Sequence, residues 1–167
     1  MTAAGPTSSG RSPSEVDTVL AVLAPVPGRA VPLAAVPDPV FAEAMVGPGT
    51  AIDPERAAGI AVAPVDGRIA TLHPHAFVVV GAAGRGVLVH LGLDTVQLKG
   101  VGFEVLVAPG AEVSAGQPMV RWDPGAVHAG GRSPVCPVIA LDATPDRLAD
   151  LRETGDVRAG DLLFRWT

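Results

Sequence analysis

Short apolar runs interrupted by glycine and proline dominate this chain and restrict the folds open to it. Its 167 residues include 20 Gly and 17 Pro, and 48% are hydrophobic whereas 17% are charged. Glycine and proline end helices and form turns, and short runs rich in Val, Leu and Ile are typical of β-strands. The runs are TVLAVLAPVPG, AGIAVAPVDGRIATL, HAFVVVGAAGRGVLVHLG, FEVLVAPG, PMVRWD, PVCPVIAL and DLLFRW. This pattern predicts an all-β fold, a compact antiparallel β-sandwich or barrel with a few short helices.

The chain is expected to form one domain after a short tail. Residues 1–14 are rich in Gly, Ser and Pro, and they have too few apolar side chains to offset the entropy of ordering them. They are predicted to be a disordered tail, and residues 15–167 a single domain. Within the domain, TPDRLADLRETG is predicted to be a helix that is capped by Thr144 and ended by Gly155. Shorter helical turns are expected at DPVFAEAM and DTVQL.

A weak internal repeat relates residues 110–123 to residues 154–167. The segments GAEVSAGQPMVRWD and TGDVRAGDLLFRWT share Val, Ala, Gly, Arg and Trp at equivalent positions. In each segment the Ala-Gly pair supplies a turn and the following run a strand. The repeat therefore predicts two similar β-hairpins.

Charge and hydropathy exclude several classes of function. The net charge of -5 and the single lysine, Lys99, leave no basic stripe for nucleic acid. No apolar run reaches the roughly 20 residues of a membrane span, and the N-terminus lacks the apolar centre of a signal peptide. A cytoplasmic protein without a membrane span is therefore expected. Cys136 lies in an apolar, proline-flanked run, which predicts a buried structural thiol.

Three of the four histidines lie in two adjacent apolar runs, within residues 73–92. The runs AFVVV and VLVHL are separated by GAAGRG, which predicts an antiparallel hairpin. In one register His75 lies opposite Gly92 and His90 opposite Phe77, all on one face of the sheet. A loop tighter by one pair sets His75 directly opposite His90, with Cβ atoms about 5 Å apart. Either register brings two imidazoles within reach of one small ligand or phosphoryl group.

Two other site types share parts of this pattern. GRIATLHPH matches the opening of the cupin motif, and neutral imidazoles are common metal ligands. Val79 and Val80 occupy the places where cupins have a glutamate, and the second cupin motif is absent, but a zinc site of His ligands stays open. A biotinyl or lipoyl carrier needs an exposed lysine between partner residues at a turn tip. Lys99, in QLKG, lacks that context.

Several segments together resemble one family closely. They are VPDPVFAEAMVGPGTAIDP, APVDGRI, HAF and VLVHLGLDTVQLKGVGFEVLV. These look like the signature segments of the glucose-type enzyme IIA of the bacterial phosphoenolpyruvate:sugar phosphotransferase system, with a similarity that covers roughly residues 17–167. The resemblance implies a β-sandwich that accepts phosphate from the phosphocarrier HPr on one histidine. It passes the phosphate to the cysteine of an enzyme IIB during sugar uptake.

The resemblance also implies roles for individual residues. His90 matches the phosphorylated histidine and His75 the supporting one, and neither metal nor other cofactor is implied. Asp38 and Asp94 match acidic residues that flank the site and receive an arginine of HPr. A docking rim of apolar side chains is expected around them, comprising Val40, Phe41, Met45, Val46, Leu88 and Val96. Regulatory partners are known in the family.

The chain departs from the family pattern beside the supporting histidine. His73 replaces a threonine that often hydrogen-bonds the active pair, and Thr71 replaces an aromatic residue. The sequence leaves open whether His73, as a neighbour of the active pair, supplies the missing hydrogen bond. No enzyme IIB segment is present in the sequence, so a free-standing IIA protein that meets its partners by diffusion is expected.

Overall fold

The computed structural model describes residues 19–167, so the tail predicted for residues 1–14 and the start of the domain at residue 15 lie outside it. Short strands make up most of the described chain. They are β1 (Leu20–Leu23), β2 (Gly28–Pro32), β3 (Gly49–Pro54), β4 (Gly59–Val62), β5 (Gly67–His73), β6 (Ala76–Val80), β7 (Gly86–His90), β8 (Glu104–Val105), β9 (Glu112–Val113), β10 (Pro118–Trp122), β11 (Cys136–Ala140), β12 (Leu148–Ala149), β13 (Asp156–Val157) and β14 (Leu162–Trp166). The α-helices are α1 (Pro39–Ala42) and α2 (Pro124–Ala129), and 3-10 helices span Leu33–Ala35, Ala82–Gly84, Thr95–Leu98 and Pro145–Arg147. The expectation of an all-β fold with a few short helices is confirmed.

The strands form three antiparallel sheets. The largest has eight strands in the order β13-β2-β3-β11-β7-β6-β5-β9. The two others have three strands each, in the orders β1-β14-β12 and β4-β10-β8. In β7, buried and partly buried residues alternate, whereas β3 and β11 are buried almost throughout and contribute to apolar clusters on both faces of the large sheet.

All three sheets contribute to one large apolar core. Phe77 and Ile52 reach it from the eight-stranded sheet, whereas Phe164 and Met119 reach it from the two small sheets, and all four are almost fully buried. Burying a side chain of this size contributes about 1.5–3 kcal/mol. This shared core makes the architecture a β-sandwich.

A second, smaller apolar cluster lies apart from the main core. Its buried members are Leu33, Val36, Phe41, Ala51, Leu93 and Ile139. They come from the segment around α1, from β3 and β11, and from the loop that follows β7. Because Phe41 and Leu93 belong to segments beside His90, this cluster forms the packed base of the region that the sequence singled out.

The internal repeat is present, but the predicted hairpins are wrong. β9 pairs with β5 at one edge of the large sheet, whereas β10 belongs to a small sheet. β13 and β14 are divided between sheets in the same way. The chain turns between sheets at Gly116 and Gly160, which have φ angles of +87° and +92° that favour glycine. The repeat thus encodes a crossing between two layers.

A matching repeat in the first half of the chain explains this crossing. APVPGR (24–29) and APVDGR (63–68) connect β1 to β2 and β4 to β5. The amide of Ala24 donates to the carbonyl of Asp161 at 2.7 Å, and the amide of Ala63 donates to that of Gln117 at 2.9 Å. Each proline-containing corner is therefore held by the corner of one later repeat. This pairing gives the sandwich an approximate internal symmetry.

The helix predicted at TPDRLADLRETG does not form. Only Pro145–Arg147 make a 3-10 turn, without a capping bond from Thr144, and β12 follows at once. Leu148 pairs with Trp166 in β14, so pairing with a sheet edge outweighs local helix propensity. The turns expected at DPVFAEAM and DTVQL are confirmed by α1 and by Thr95–Leu98.

Further expectations concern the burial of the single thiol and the length of the helices. Cys136 is a free thiol with no exposed surface, as predicted, and burial raises its pKa to about 12. In residues 19–167 there is no helix of the length and apolar character that spanning a membrane requires. The helix α2 was not predicted, although Asp123 caps it by accepting a hydrogen bond from the amide of Ala126 at 3.1 Å.

Candidate active site

Three histidines come together where β5 and β7 end and β6 begins. His73 is the last residue of β5, and His90 is the last residue of β7. His75 lies in the two-residue turn between β5 and β6, because His73 pairs with Ala76 across that turn. The ring centroids of His75 and His90 are 5.3 Å apart at an interplanar angle of 67°. The prediction that these two imidazoles lie close together is confirmed.

Neither of the two predicted registers of the hairpin forms, although the two imidazoles still lie close together. Phe77 pairs with Val89, and Ala76 pairs with His90. Strict alternation in this register would place residues 75 and 90 on opposite faces of the sheet. This alternation does not apply to His75, because it lies in the turn before β6. The carbonyl of His75 also accepts a hydrogen bond from the amide of Leu91 at 2.7 Å, which ties the turn to the end of β7.

A hydrogen bond to the backbone orients the ring of His90. Its Nδ1 lies 2.6 Å from the carbonyl oxygen of Gly92. A carbonyl oxygen accepts hydrogen bonds and cannot donate them, so in this bond Nδ1 carries the proton. The other ring nitrogen, Nε2, keeps its lone pair. His90 is therefore held in the tautomer that a nucleophilic imidazole requires.

The pKa values of both central histidines are lower than usual. Burial lowers the pKa of His90 below 6.5, against the opposing effects of the Gly92 carbonyl, Asp38 and Asp94. Burial also lowers the pKa of His75, and the charges of His90 and His73 lower it further. Both rings are therefore predominantly neutral at pH 7.

The two predicted acidic residues lie close enough to His90 to act on it. Asp38 caps α1, and its Oδ1 accepts a hydrogen bond from the amide of Val40 at 2.9 Å. Asp94 is exposed and has a left-handed backbone with φ of 58°, immediately before the 3-10 helix Thr95–Leu98. Each carboxylate raises the pKa of His90, which places two negative charges beside the histidine pair.

The predicted docking rim consists of exposed and buried residues. Val40, Met45 and Val96 are 42%, 67% and 59% exposed. Phe41 is buried, and its ring centroid lies 5.3 Å from that of His90, so it forms a wall of the site. Val46 and Leu88 are partly buried against the smaller apolar cluster.

Val101 is an exposed apolar residue that the sequence did not single out. It is 75% exposed, and it lies between Gly100 and Gly102, both at positive φ. Gly100 approaches Pro74 of the histidine turn. Nothing in the string KGVGF separates an exposed valine from a buried one.

His73 extends the histidine pair into a row of three rings. It is exposed, and it stacks on His75 with a centroid separation of 5.6 Å and an interplanar angle of 21°. Among the hydrogen bonds of residues 19–167, none joins His73 to His75 or His90. In this structure His73 therefore stacks on His75 and does not supply the hydrogen bond that the sequence left open.

The donor groups do not converge on a common point. Within the described part of the chain, no three His, Cys, Asp or Glu side chains are arranged to hold a metal ion. Two stacked rings, with the ring of His90 at a steep angle to that of His75, differ from the tetrahedral arrangement that zinc prefers. The geometry instead presents one nucleophilic nitrogen beside a second imidazole and two carboxylates.

The fold and this histidine pair define a phosphotransfer component. The family described as "phosphoenolpyruvate-dependent sugar phosphotransferase system, EIIA 1" matches residues 20–145, and the chain belongs to it. This match confirms the resemblance seen in the sequence and does not favour a metal-binding β protein or a biotinyl carrier.

Named relatives agree with this assignment. A "PTS system glucose-specific EIIA component" from Staphylococcus aureus is 42% identical over 127 residues, which is 75% of each chain. The protein of the same name from Staphylococcus epidermidis is 36% identical over 149 residues, covering 88% of this chain and 89% of the relative. The solved structure "Glucose permease IIA from Mycoplasma capricolum" has a TM-score of 0.80 and 37% identity, covering 89% of this chain and 96% of that one.

Proposed function

We propose that this protein carries a phosphoryl group on Nε2 of His90, accepting it from HPr and passing it to the cysteine of an enzyme IIB during sugar uptake. The observation that carries the proposal is the 2.6 Å bond between Nδ1 of His90 and the Gly92 carbonyl. That bond leaves Nε2 as the nitrogen with a free lone pair. Membership of the EIIA 1 family supports the proposal.

The two half-reactions use the same nitrogen. In the first, the Nε2 lone pair forms a bond to phosphorus while the bond between phosphorus and the donor atom of HPr breaks. In the second, the IIB cysteine thiolate forms a bond to phosphorus while the N–P bond breaks and the electron pair returns to Nε2. The proton stays on Nδ1, hydrogen-bonded to the Gly92 carbonyl, throughout. Such transfers depend mainly on in-line positioning and charge stabilisation, so they require no metal or nucleotide in this protein.

His75 is the supporting residue in this scheme. Its ring centroid lies 5.3 Å from that of His90, which brings a ring N–H within reach of phosphoryl oxygens. A neutral imidazole has one N–H to donate, and a donor aimed at developing charge stabilises the transition state more than the ground state. We therefore assign the nucleophilic role to His90 and the stabilising role to His75.

The partners follow from the surroundings of the pair. Asp38 and Asp94 supply negative charge for an arginine of HPr, and Val40, Met45 and Val96 supply exposed apolar contact around it. The relatives are named as glucose-specific, and on that ground we propose a glucose-type permease as the acceptor. We further propose that the exchange takes place in the cytoplasm, where phosphoenolpyruvate is available.

Intact-mass measurement tests the assignment. Phosphoenolpyruvate, enzyme I and HPr should together add one phosphoryl group to the wild-type protein, as an acid-labile and base-stable adduct. His90→Ala should remain unmodified. Continued single phosphorylation of His90→Ala would overturn the assignment, and loss of wild-type activity on addition of a chelator specific for transition metals would instead support a zinc site.

A further inference from the structure

Thr95 is a buried polar residue in the loop that follows His90. Its side chain has no exposed surface, and within residues 19–167 the only other buried polar residue is Thr50. The Thr95 hydroxyl donates to the carbonyl of Leu91 at 2.8 Å. A buried hydroxyl is costly unless it is hydrogen-bonded, so this bond constrains where the Leu91 carbonyl can lie.

The Leu91 backbone is bonded on both sides. Its amide donates to the carbonyl of His75 at 2.7 Å, and its carbonyl accepts from Thr95. The turn that contains His75 and the loop that follows His90 are thus joined through one residue. A shift of Leu91 would change the position of both imidazoles.

Thr95 also packs against Gly92. The φ angle of Gly92 is +82°, and a Cβ at this position would lie 2.7 Å from Cγ2 of Thr95. Glycine at such an angle has few steric restraints of its own, so its neighbours determine where its carbonyl points. The hydroxyl and the methyl group of Thr95 act on Leu91 and Gly92, the two residues that follow His90.

We propose that Thr95 is a positioning residue, which keeps the Gly92 carbonyl on Nδ1 of His90 and thereby keeps the lone pair on Nε2. This inference rests on the proposed function, because it explains how the nucleophilic tautomer is maintained. Nothing in the hydrogen bond between His90 and Gly92 itself fixes the backbone of Gly92. The Leu93 amide, which shares a peptide group with the Gly92 carbonyl, donates to the carbonyl of Ser133 at 2.8 Å, and Thr95 adds a second restraint from the buried side of the loop.

Two substitutions separate the hydroxyl from the rest of the side chain. Thr95→Val keeps the shape and removes the hydroxyl, and Thr95→Ser keeps the hydroxyl. Thr50→Val is the matched control, because Thr50 is equally buried and its hydroxyl donates to the carbonyls of Val31 and Arg152. The control removes a buried hydroxyl that bonds no residue of the site.

The measurements are the His90 tautomer, from nitrogen-15 NMR of the imidazole, and the single-turnover rate of phosphoryl transfer from HPr. Thr95→Val should show a mixture of tautomers and a rate about tenfold or more below wild type, since small displacements of reacting groups have effects of this size. Its apparent affinity for HPr should stay within about twofold of wild type, because the exposed residues around the site are unchanged. Thr50→Val should keep the wild-type tautomer and rate, and Thr95→Ser, which keeps the hydroxyl bond to Leu91 but loses the methyl contact with Gly92, should lie closer to wild type than Thr95→Val.

Two results would overturn the inference. One is a single Nδ1–H tautomer with a wild-type rate in Thr95→Val. The other is an equal loss in Thr50→Val, which would assign the effect to general destabilisation. The tautomer is measured without phosphate, so a tautomer change in Thr95→Val alone supports the inference even if the wild type never accepts phosphate. A wild-type protein that never accepts phosphate would reject the proposed function and would leave the inference about the tautomer standing.

Discussion

The two histidines to which we assign the nucleophilic and the supporting role differ in their surroundings. His90 ends a strand, is partly buried, and has its Nδ1 bonded to a backbone carbonyl 2.6 Å away. His75 lies in a turn, and its ring has no such bond among the hydrogen bonds of residues 19–167. A ring fixed by the backbone keeps one tautomer, whereas a freer ring can adjust to the phosphoryl oxygens. These surroundings support the different roles that we propose for the two identical side chains.

Replacement of His75 tests this division. We expect His75→Gln to accept one phosphoryl group from HPr but to pass it to a IIB cysteine about a hundredfold more slowly, because a contact with developing charge is lost. Rapid-quench measurements of both half-reactions check this. His73→Gln is the matched control, since the same change two residues away removes a ring that only stacks on His75. Wild-type rates in both half-reactions of His75→Gln, or equal losses in the two variants, would contradict the prediction.

At the scale of elements, the β6–β7 hairpin determines the site. Its two strands were predictable, because AFVVV and VLVHL are apolar runs of strand length separated by glycines. Its register was not, because residues 81–85 connect Val80 to Gly86 through a 3-10 turn that includes Ala83 at positive φ. A shift of one residue reverses the faces of a strand. The proximity of His75 and His90 survives because His75 belongs to a turn.

Other parts of the fold depend on contacts between distant segments, which one sequence does not display. Leu148 and Ala149 have the local pattern of a helix, but they pair with β14. The exposure of Val101 and the burial of Phe41 follow from how loops lie over the sheets. The histidines and acidic residues were found from a motif, whereas the hydroxyl of Thr95 became visible only with its partner Leu91 in place.

A glycine at the start of β5, at the end of the strand away from His73, tests how closely the large sheet is packed. A Cβ at Gly67 would lie 2.1 Å from the carbonyl oxygen of Val80, so Gly67→Ala must separate β5 from the end of β6. We expect the free energy of unfolding to fall by about 3 kcal/mol. Gly59→Ala, in β4, is the control, because a Cβ there has nothing within 4 Å. Urea denaturation checks both, and equal stability of the two variants would contradict the steric argument.

At the scale of the whole molecule, the proposed function requires one face to serve two exchanges. His90 is the single proposed nucleophile, and its surroundings combine two carboxylates with the exposed side chains of Val40, Met45 and Val96. Donor and acceptor must each bring a reacting atom in line with the same Nε2, so they cannot be bound together. Rapid exchange of partners favours attraction by exposed charge over a large, tightly packed interface.

The last prediction concerns this attraction. Replacing both acidic residues, in Asp38→Asn/Asp94→Asn, should weaken HPr binding mainly through slower association, because exposed charges act during encounter. Salt should have a similar effect on the wild type, since the screening length is about 8 Å at physiological ionic strength. The double variant should therefore show a shallower salt dependence. Stopped-flow association at low and high salt measures both quantities.

A second double variant separates the effect of the charges beside His90 on association from the effect of the overall net charge. Asp146→Asn/Asp156→Asn removes the same number of charges from exposed residues in the 3-10 helix Pro145–Arg147 and in β13. Neither element contributes to the site, so association should keep its wild-type rate and salt dependence if the carboxylates beside His90 guide the encounter. Equal slowing in the two double variants would assign steering to the net charge of -5 and would remove the specific role proposed for Asp38 and Asp94. Slowing in the first variant alone would show that the encounter depends on where the charges lie, because both variants have the same net charge.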